Sequence, residues 1–352
     1  MKTFIKKMDD KKSMDTVLEK AASFLQKGEL VAFPTETVYG LGADATMAEA
    51  AKKIYAAKGR PSDNPLIVHI ADIKDLKEVV KEIPVNAERL AKAFWPGPLT
   101  MILEKSDKIP YETTGGLDTV AVRMPSHPLA RAVIQASGRP IAAPSANASG
   151  RPSPTLASHV QQDLDGKIAM IIDGGAVEIG IESTIIDLTV EPPMILRPGA
   201  VTRAMLQKEI GEVREDPGLE QSSNVRPKAP GMKYRHYAPK AELIIVKGNQ
   251  DNVISTINKK IHQLTSEGRL CGVIAANETI GSYKTVRKKS IGSKTDEASI
   301  AHNLYAILRE FDEMDVAVIY SEDFDTPTIG TAIMNRLLKA AGHRVIDADK
   351  TL

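Results

Sequence analysis

The stretch KGRPSDNPLIVH, residues 58–69, constrains the fold of this chain more than any other. Its two prolines and one glycine prevent a helix over residues 59–65, so a stiff loop must separate the element before it from the element after it. The apolar run that follows predicts a strand over residues 66–70. The charged side chains of this loop therefore leave the end of one element in a fixed geometry.

The same stretch concentrates groups that bind anions. Lys58 and Arg60 stand close to Asn64 and His69 in the sequence. An arginine gives paired hydrogen bonds to phosphate oxygens, and a lysine acts as a compact charge, so the pair suits a nucleotide triphosphate better than an apolar ligand. A solvated basic turn is the alternative, because lysine and arginine are common in surface turns.

Short apolar strands and amphipathic helices alternate through the first 210 residues, which is typical of an α/β domain. The segment at residues 34–42 is rich in hydroxyls and glycines and is predicted to be a loop that lets backbone approach a ligand. The predicted helices cover residues 13–28 and 47–57, and the predicted strands cover residues 29–33, 66–70, 99–104 and 119–124.

Two further polar concentrations follow apolar runs. Residues 141–150 end in small side chains that carry Ser145 and Asn147, although such a sequence is also typical of a simple turn. Ser183 stands at the start of a later strand, and Arg197 ends another apolar run. Ligands favour the carboxyl ends of strands in open sheets, so these positions are candidates for binding.

Several enzyme classes are excluded by missing motifs. The chain has no Walker A sequence, no Gly-x-Ser-x-Gly elbow, no dinucleotide-binding glycine fingerprint and no histidine pair at metal-ligand spacing. What remains is a site built from several loops without a protein nucleophile, in which positioning and charge would drive the chemistry. Its candidate residues are Lys58, Arg60, His69, Arg123, Ser145, Ser183 and Arg197.

Charge and cysteine content limit the function classes and the cellular compartment that fit this sequence. The 46 Lys and Arg nearly balance the 45 Asp and Glu, which argues against a chain whose main work is coating nucleic-acid backbone. The single cysteine, Cys271, allows no internal disulfide and fits a reducing cytoplasm. The charged N-terminus and the lack of an apolar run of about 18 residues predict neither a signal peptide nor a membrane span.

The pattern changes after the first domain, which we predict to cover residues 1–210. Residues 211–241 contain four prolines without periodicity and predict a basic linker. Residues 242–352 alternate again and predict a smaller α/β domain with a parallel sheet. Its predicted strands cover residues 243–246, 270–275, 316–320 and 344–346, and its predicted helices cover residues 252–265, 299–313 and 329–341.

Five motifs in order resemble the YrdC family, and specifically its two-domain threonylcarbamoyl-AMP synthases. They are PTETVYGL (34–41), KGRPSDNPLIVH (58–69), APSAN (143–147), ESTIID (182–187) and LRPG (196–199). The resemblance implies a twisted open α/β sheet followed by a Rossmann-like domain. It also implies conversion of L-threonine, bicarbonate or CO2 and ATP to threonylcarbamoyl-adenylate and pyrophosphate. That product serves modification of adenosine 37 in tRNAs whose codons start with A.

The resemblance also implies roles for individual residues. Lys58 and Arg60 would act in catalysis, and magnesium would bind through the phosphates of ATP. The product would pass to a tRNA threonylcarbamoyl transferase, whereas stable binding of tRNA itself stays open. Threonine would be held by Thr35, His69, Arg123, the backbone of Ala143, and Ser183. ATP would be held by Lys58, Arg60, Asn64, Thr119, Ser145, Ser153, Arg197 and His236.

The linker is one-sided in charge. Residues 221–241 include five basic side chains and no acidic one, and they include two tyrosines and His236. We predict that this segment closes over the nucleotide as a lid that excludes water from the reactive carbamate. A solvated basic tether is the alternative. A second reading of the whole chain is an RNA-binding or translation-regulatory protein that uses a basic concave surface.

Overall fold

The computed structural model describes residues 2–8, 11–219, 229 and 236–350. Contacts between Cα atoms divide the chain into two compact units. The first unit comprises Met1–Ser149 and Ser153–Tyr234, and the second comprises Gly150–Pro152 and Arg235–Leu352. The predicted domain boundaries at residues 210 and 241 stay a prediction.

The first unit is built on one mixed sheet. Its strands are β1 (Phe4–Lys7), β2 (Val31–Pro34), β3 (Tyr39–Asp44), β4 (Ile67–His69), β5 (Leu99–Glu104), β6 (Thr119–Arg123), β7 (Ile141–Ala142), β8 (Met170–Asp173), β9 (Thr184–Asp187), β10 (Met194–Arg197) and β11 (Arg214–Glu215). Among the described residues these eleven strands follow the order β1-β8-β2-β3-β7-β4-β6-β5-β9-β10-β11.

Eight helices of the described chain pack against this sheet or connect its strands. They are α1 (Lys11–Gln26), α2 (Ala48–Lys58), α3 (Leu76–Val79), α4 (Val85–Phe94), α5 (Tyr111–Thr114), α6 (Pro128–Ser137), α7 (Ala157–Leu164) and α8 (Arg203–Ile210). Helix α1 shows how the sequence pattern produces the packing. Val17, Ala21 and Leu25 recur at helical spacing, and they are buried together with Val31 and Phe33 of strand β2.

The prediction of a loop over residues 34–42 is wrong for its second half. Residues from Tyr39 onwards form strand β3, which pairs antiparallel with β2. Glycine at position 42 is required by packing rather than by a turn, because a Cβ there would lie 2.6 Å from Cε1 of Phe33 and 2.9 Å from Cγ2 of Ile141. The glycines therefore mark a closely packed strand.

The middle of the sheet brings distant sequence motifs together. Strand β6 pairs parallel with β4, which sets His69 opposite Arg123, and pairs antiparallel with β5, which sets Thr100 opposite Arg123. Strand β5 also pairs parallel with β9, the strand that begins directly after Ser183. His69, Thr100 and Ser183, which are far apart in the sequence, therefore lie on or directly before neighbouring strands in the middle of the sheet. The predicted strand at residues 99–104 is confirmed in its bounds.

The sheet of the first unit continues past residue 210, because β11 pairs parallel with β10. The segment predicted to be a linker thus begins with two residues that belong to this sheet. A short 3-10 turn, Pro217–Leu219, follows. Most of the predicted lid, residues 220–228 and 230–235, lies outside the described residues, and this includes Arg226, Lys228, Lys233 and Arg235.

The second unit has a five-stranded sheet among its described residues. Every strand pair in it is parallel, as the sequence predicts, with the order β14-β13-β15-β12-β16. Strand β14 was not predicted, because its three residues are two lysines and a serine. The elements are β12 (Glu242–Lys247), α9 (Gln250–Ser266), β13 (Cys271–Ala275), β14 (Lys288–Ser290), α10 (Glu297–Phe311), β15 (Val318–Glu322), α11 (Gly330–Ala341) and β16 (Val345–Asp347).

Candidate active site

Arg123 is a buried cation on the sheet of the first unit. Its Nε donates to the carbonyl oxygen of Gly97 at 3.3 Å, and its Nη1 donates to Oγ1 of Thr37 at 2.9 Å. Its Nη2 lies 2.6 Å from Oε1 of Glu36, and both side chains are almost fully buried. Three separate groups therefore fix the plane of the guanidinium, which is the geometry that recognition of a carboxylate needs.

Glu36 and Thr37 are site residues that the sequence analysis missed. Burial by itself raises the pKa of the Glu36 carboxyl, but the charge and hydrogen bond of Arg123 outweigh burial and leave the pKa below its usual range. Glu36 is therefore ionised at neutral pH. Both residues stand inside the motif PTETVYGL, so the available signal was the glutamate between two threonines.

Thr35 forms the turn between strands β2 and β3. Its Oγ1 donates to the carbonyl oxygen of Val38 at 2.6 Å and accepts from the backbone N–H groups of Thr37 and Val38 at 3.2 Å each. These bonds make a compact hydroxyl-bonded turn. The side chain is 2% exposed, so the structure places Thr35 inside the protein directly beside Glu36.

His69 is buried and uncharged at neutral pH. Burial first, and the nearby charge of Arg123 second, lower the pKa of His69 from 6.5 to about 3. Its Nδ1 lies 3.1 Å from the carbonyl oxygen of Ile67. Because a carbonyl oxygen only accepts, this contact puts the proton on Nδ1 and leaves Nε2 as an acceptor. The same carbonyl accepts from the backbone N–H of Ala143 at 2.8 Å. His69 and Ala143, both predicted to bind the substrate threonine, therefore share this acceptor.

Ser183 links the residues predicted to bind threonine to those predicted to bind ATP. Its hydroxyl lies 2.8 Å from Oγ1 of Thr100 and accepts from Nη2 of Arg197 at 3.1 Å. Nε of Arg197 donates to the carbonyl oxygen of Ser183 at 3.0 Å. Ser183, predicted to bind the substrate threonine, and Arg197, predicted to bind ATP, are therefore in direct contact. Thr100 is a further residue that the sequence analysis missed.

Lys58 reaches across to the second polar motif. Its Nζ donates to the carbonyl oxygens of Ser145 and Asn147 at 2.5 Å each, and it is 4% exposed. Oγ of Ser145 donates to Oδ1 of Asn147 at 2.6 Å. Lys58 thus holds the turn that carries Ser145, and the sequence analysis, which assigned Lys58 to the phosphates, did not anticipate this contact.

Arg60 folds back over its own loop. Its Nε donates to the carbonyl oxygen of Asn64 at 3.3 Å, and its Nη2 donates to that of Pro65 at 3.0 Å. The fork therefore braces the stiff loop that the prolines predict. Asn64 is 2% exposed, and its Oδ1 accepts no hydrogen bond from the described part of the protein. A buried acceptor without a donor is unfavourable, so a bound group that donates a hydrogen bond would stabilise this position.

Ser153 and Thr119 complete the predicted nucleotide residues of the first unit. Oγ of Ser153 donates to Oε1 of Glu182 at 2.6 Å, and Glu182 is another buried residue that the sequence analysis did not assign. Thr119 begins strand β6, four residues before Arg123. Since a strand advances about 3.3 Å per residue, these two positions lie about 13 Å apart on one face. His236 belongs to the second unit, and its predicted contact with ATP stays a prediction.

His69, Thr100 and Arg123 lie on one face of the sheet. Side chains two positions apart in a strand point the same way, so Ile67 shares a face with His69, Ala121 with Arg123, and Ile102 with Thr100. The three apolar members lie in one buried cluster. That cluster also contains Ala229, which is fully buried and stands in the middle of the predicted lid.

Comparison with known proteins shows the family to which the chain belongs. The family model Sua5_yciO_yrdC, described as "Telomere recombination", matches residues 23–199. The model described as "Threonylcarbamoyl-AMP synthase, C-terminal domain" matches residues 201–342. The chain belongs to the Sua5/YciO/YrdC family. The resemblance to the YrdC family, and the fold class that it implies, are therefore confirmed.

Family members of known name match almost the whole chain. A threonylcarbamoyl-AMP synthase of Pyrococcus abyssi is 53% identical, with 93% of this chain and 94% of that protein covered. A threonylcarbamoyl-AMP synthase of Bacillus subtilis is 50% identical, with 97% and 98% covered. The crystal structure of P. abyssi Sua5 complexed with L-threonine has a TM-score of 0.92 and 50% identity, and it covers 99% of both chains. The prediction of an enzyme is confirmed.

Within the described residues, no helix combines the length and apolar character that crossing a bilayer requires.

Proposed function

We propose that the chain is a threonylcarbamoyl-AMP synthase, which converts L-threonine, bicarbonate or CO2, and ATP to threonylcarbamoyl-adenylate and pyrophosphate. The observation that carries the proposal is the contact at Ser183, whose hydroxyl meets Arg197 at 3.1 Å and Thr100 at 2.8 Å. Adenylate formation requires an acyl oxygen and the α-phosphorus at one place. Ser183, predicted to bind threonine and bonded to the predicted ATP residue Arg197, would bring the two substrates together.

The chemistry needs no protein nucleophile. The threonine amine would bond to the carbon of CO2 as one C=O π bond opens, and the nitrogen would release its proton to water, which gives a carbamate. A carbamate oxygen would then attack the α-phosphorus while the bond to pyrophosphate breaks. Arg123 would hold the threonine carboxylate, and His69, being neutral, would offer Nε2 as a hydrogen-bond acceptor without adding positive charge. Arg197 would stabilise the negative charge that develops on the phosphates.

The nucleotide loops would be held by Lys58 and Arg60. Lys58 fixes the turn that carries Ser145, and Arg60 braces the loop that carries Asn64. We propose that the catalytic contribution of both residues is this positioning together with their charge. The buried Oδ1 of Asn64 would accept a hydrogen bond from the nucleotide. In this way the predicted ATP residues would act as one preorganised frame.

Magnesium would enter with the phosphates of ATP. Among the described residues, no three His, Cys, Asp or Glu side chains gather where they could hold a metal ion. The side chains around the proposed nucleotide position are mainly lysine, arginine and hydroxyl groups, which fits an ion bound by phosphate oxygens and needing no protein carboxylate. Bound there, magnesium would neutralise charge on the leaving pyrophosphate.

The predicted lid, residues 221–241, would close over this site. Ala229 supports this role, because it is fully buried in the cluster with Ile67, Ile102 and Ala121, on the face that carries His69, Thr100 and Arg123. A solvated tether would not place an alanine at 0% exposure against that face. We propose that the lid excludes water from the carbamate and that His236 contributes to ATP binding.

Other parts of the proposal rest on the reaction and the sequence. The adenylate would be passed to a tRNA threonylcarbamoyl transferase that acts on adenosine 37. A cytoplasmic location rests on the single cysteine, Cys271. The alternative of an RNA-binding regulator is not favoured, because the full-length relatives are named as synthases.

Incubation of the purified chain with ATP, L-threonine and bicarbonate tests the proposal. We expect pyrophosphate release that requires all three substrates. Release that is equal with and without threonine would contradict the proposed function, as would binding of tRNA with no turnover of ATP.

A further inference from the structure

Three residues near the end of the first half of the chain belong to the second unit by their contacts. Gly150–Pro152 groups with residues 235–352, whereas Ser149 before it and Ser153 after it belong to the first unit. We call this tripeptide the strap. Such a short excursion must be held by specific bonds, since three residues bury too little surface to be held by packing alone.

Each residue of the strap is bonded within the second unit. The carbonyl oxygen of Gly150 accepts from the backbone N–H of Ala238 at 2.9 Å. Nη2 of Arg151 lies 3.1 Å from Oδ2 of Asp312. The carbonyl oxygen of Pro152 accepts from both Nε and Nη2 of Arg309, at 3.1 and 2.6 Å. Such a charge-assisted pair of hydrogen bonds to one oxygen is directional as well as strong.

The bonding residues come from one face of helix α10. Arg309 and Asp312 follow Tyr305 at spacings of four and seven residues, so the three positions share a side of the helix and its end. The ring of Tyr305 lies 5.1 Å from that of Tyr237. Oδ1 of Asp312 also accepts from the backbone N–H of Lys240 at 2.7 Å. This face therefore holds the strap and the C-terminal end of the lid segment.

The strap is flanked on both sides by residues of the proposed nucleotide frame. The backbone N–H of Ser149 donates to the carbonyl oxygen of Lys58 at 2.8 Å. Ser153 is bonded through its hydroxyl to Glu182 at 2.6 Å. Because one residue of extended chain spans only about 3.3–3.6 Å, a shift of the strap must move Ser149 and Ser153.

We propose that Arg309 and Asp312 are positioning residues for ATP, acting through the strap on Ser153 and on the backbone of Lys58. This gives the second unit a role in the reaction without a ligand of its own, and it rests on the proposed function. The other account is that these bonds only stabilise the second unit. The two accounts differ in which Michaelis constant changes, because the residues proposed for threonine include none beside the strap.

Steady-state kinetics of three full-length variants tests the proposal. Arg309→Lys keeps the charge but cannot make the paired bond, Asp312→Asn removes the charge from the pair with Arg151, and Arg151→Gln changes the strap itself. Glu310→Gln is the matched control, because it is the next residue of α10 and pairs at 2.6 Å with Lys289 on the half-exposed surface. Melting temperatures and direct titration with ATP accompany the kinetics.

We expect KM for ATP to rise about tenfold in Arg309→Lys and several-fold in the other two, with KM for threonine within about twofold of the wild type. The control should match the wild type in both constants. Titration should show the same loss of ATP affinity, even if Arg309→Lys or Asp312→Asn melts early, because Arg151→Gln alters a side chain that is 30% exposed.

Two results would overturn the inference. One is an unchanged KM and affinity for ATP in all three variants, and the other is an equal rise of both Michaelis constants. A wild-type chain that binds ATP but makes no adenylate would contradict the proposed function instead. The titration would still decide the role of the strap in that case.

Discussion

Nη2 of Arg123 and Oε1 of Glu36 form an ion pair of 2.6 Å, with side chains only 5% and 4% exposed. A carboxylate substrate that binds Arg123 must therefore share the guanidinium with a carboxylate of the protein itself. Nη1 and Nε of Arg123 each donate one further bond, to Thr37 and to Gly97, so three of its five N–H donors are held within the protein. The ion pair thus decides which edge of the guanidinium a ligand can meet.

Glu36→Gln should destabilise the protein markedly. Removing one partner of a buried pair leaves Arg123 as an uncompensated charge, which costs about 3–5 kcal/mol of unfolding free energy. Urea unfolding monitored by circular dichroism measures this. Glu49→Gln is the control, because Glu49 pairs with Lys52 on the exposed surface, and we expect it to change stability far less. Equal stability of the two variants would contradict the importance of the buried pair.

His69 should make stability depend on pH in one direction. Its pKa is about 3 when folded and 6.5 ordinarily, so between these values the unfolded chain binds the extra proton. Stability from this residue is complete above pH 6.5 and is lost as pH falls toward 3. One proton corresponds to about 1.4 kcal/mol per pH unit within that window.

Comparison of the wild type with His69→Asn measures this dependence, because the other histidines contribute equally to both. We expect the wild type to lose more unfolding free energy than the variant between pH 6.5 and 4.5. The same loss in both proteins would show that His69 is not kept neutral by burial.

Arg60→Lys and Arg197→Lys should each weaken the use of ATP. Both arginines spread two nitrogens over separate acceptors, and a lysine replaces that fork with a point charge. Loss of a charge-assisted bond of about 1.5–3 kcal/mol predicts at least a tenfold lower kcat/KM for ATP. Arg214→Lys, which alters an exposed pair with Glu212, serves as the control. Wild-type kinetics for both variants would remove the assignment.

Limited proteolysis of residues 226–240 should slow when ATP and threonine are added, because a closed lid protects its own backbone. Ala229→Asp should abolish that protection, since it puts a charge into a fully buried apolar cluster. Ala57→Asp, at a partly buried position on α2, controls for a general effect of added charge. Cleavage at the same rate with and without ligands in the wild type would show that the segment is only a tether.

Local sequence patterns predict the scaffold of the first unit well. The strand at residues 99–104 has the predicted bounds, and helix α2 lies within one residue of its prediction. Strand β5 is an almost continuous buried apolar run, and α2 buries Ala50, Ala51 and Ile54 at helical spacing. Strand β3 was missed, since Gly40 and Gly42 suggest a loop when viewed alone. At Gly42 the need for space comes from Phe33 and Ile141, and Ile141 is far away in the sequence.

The site shows the same division between local and distant information. The sequence places Arg123, Ser183 and Arg197 among the candidates, but no pattern could show that Arg197 donates to Ser183 or that Glu36 pairs with Arg123. Those contacts depend on strand order and register. Sequence reasoning therefore names the chemical groups, and the sheet decides which of them touch.

Mass spectrometry of the product formed from 13C-bicarbonate, ATP and L-threonine tests the central claim most directly. The account predicts an adenylate that carries one 13C atom and the mass of threonine, that fails to form without threonine, and that appears together with one pyrophosphate. The Arg123→Lys variant should form it far more slowly at the same threonine concentration. Consumption of ATP that yields only AMP or ADP without a 13C-labelled adenylate would contradict the account.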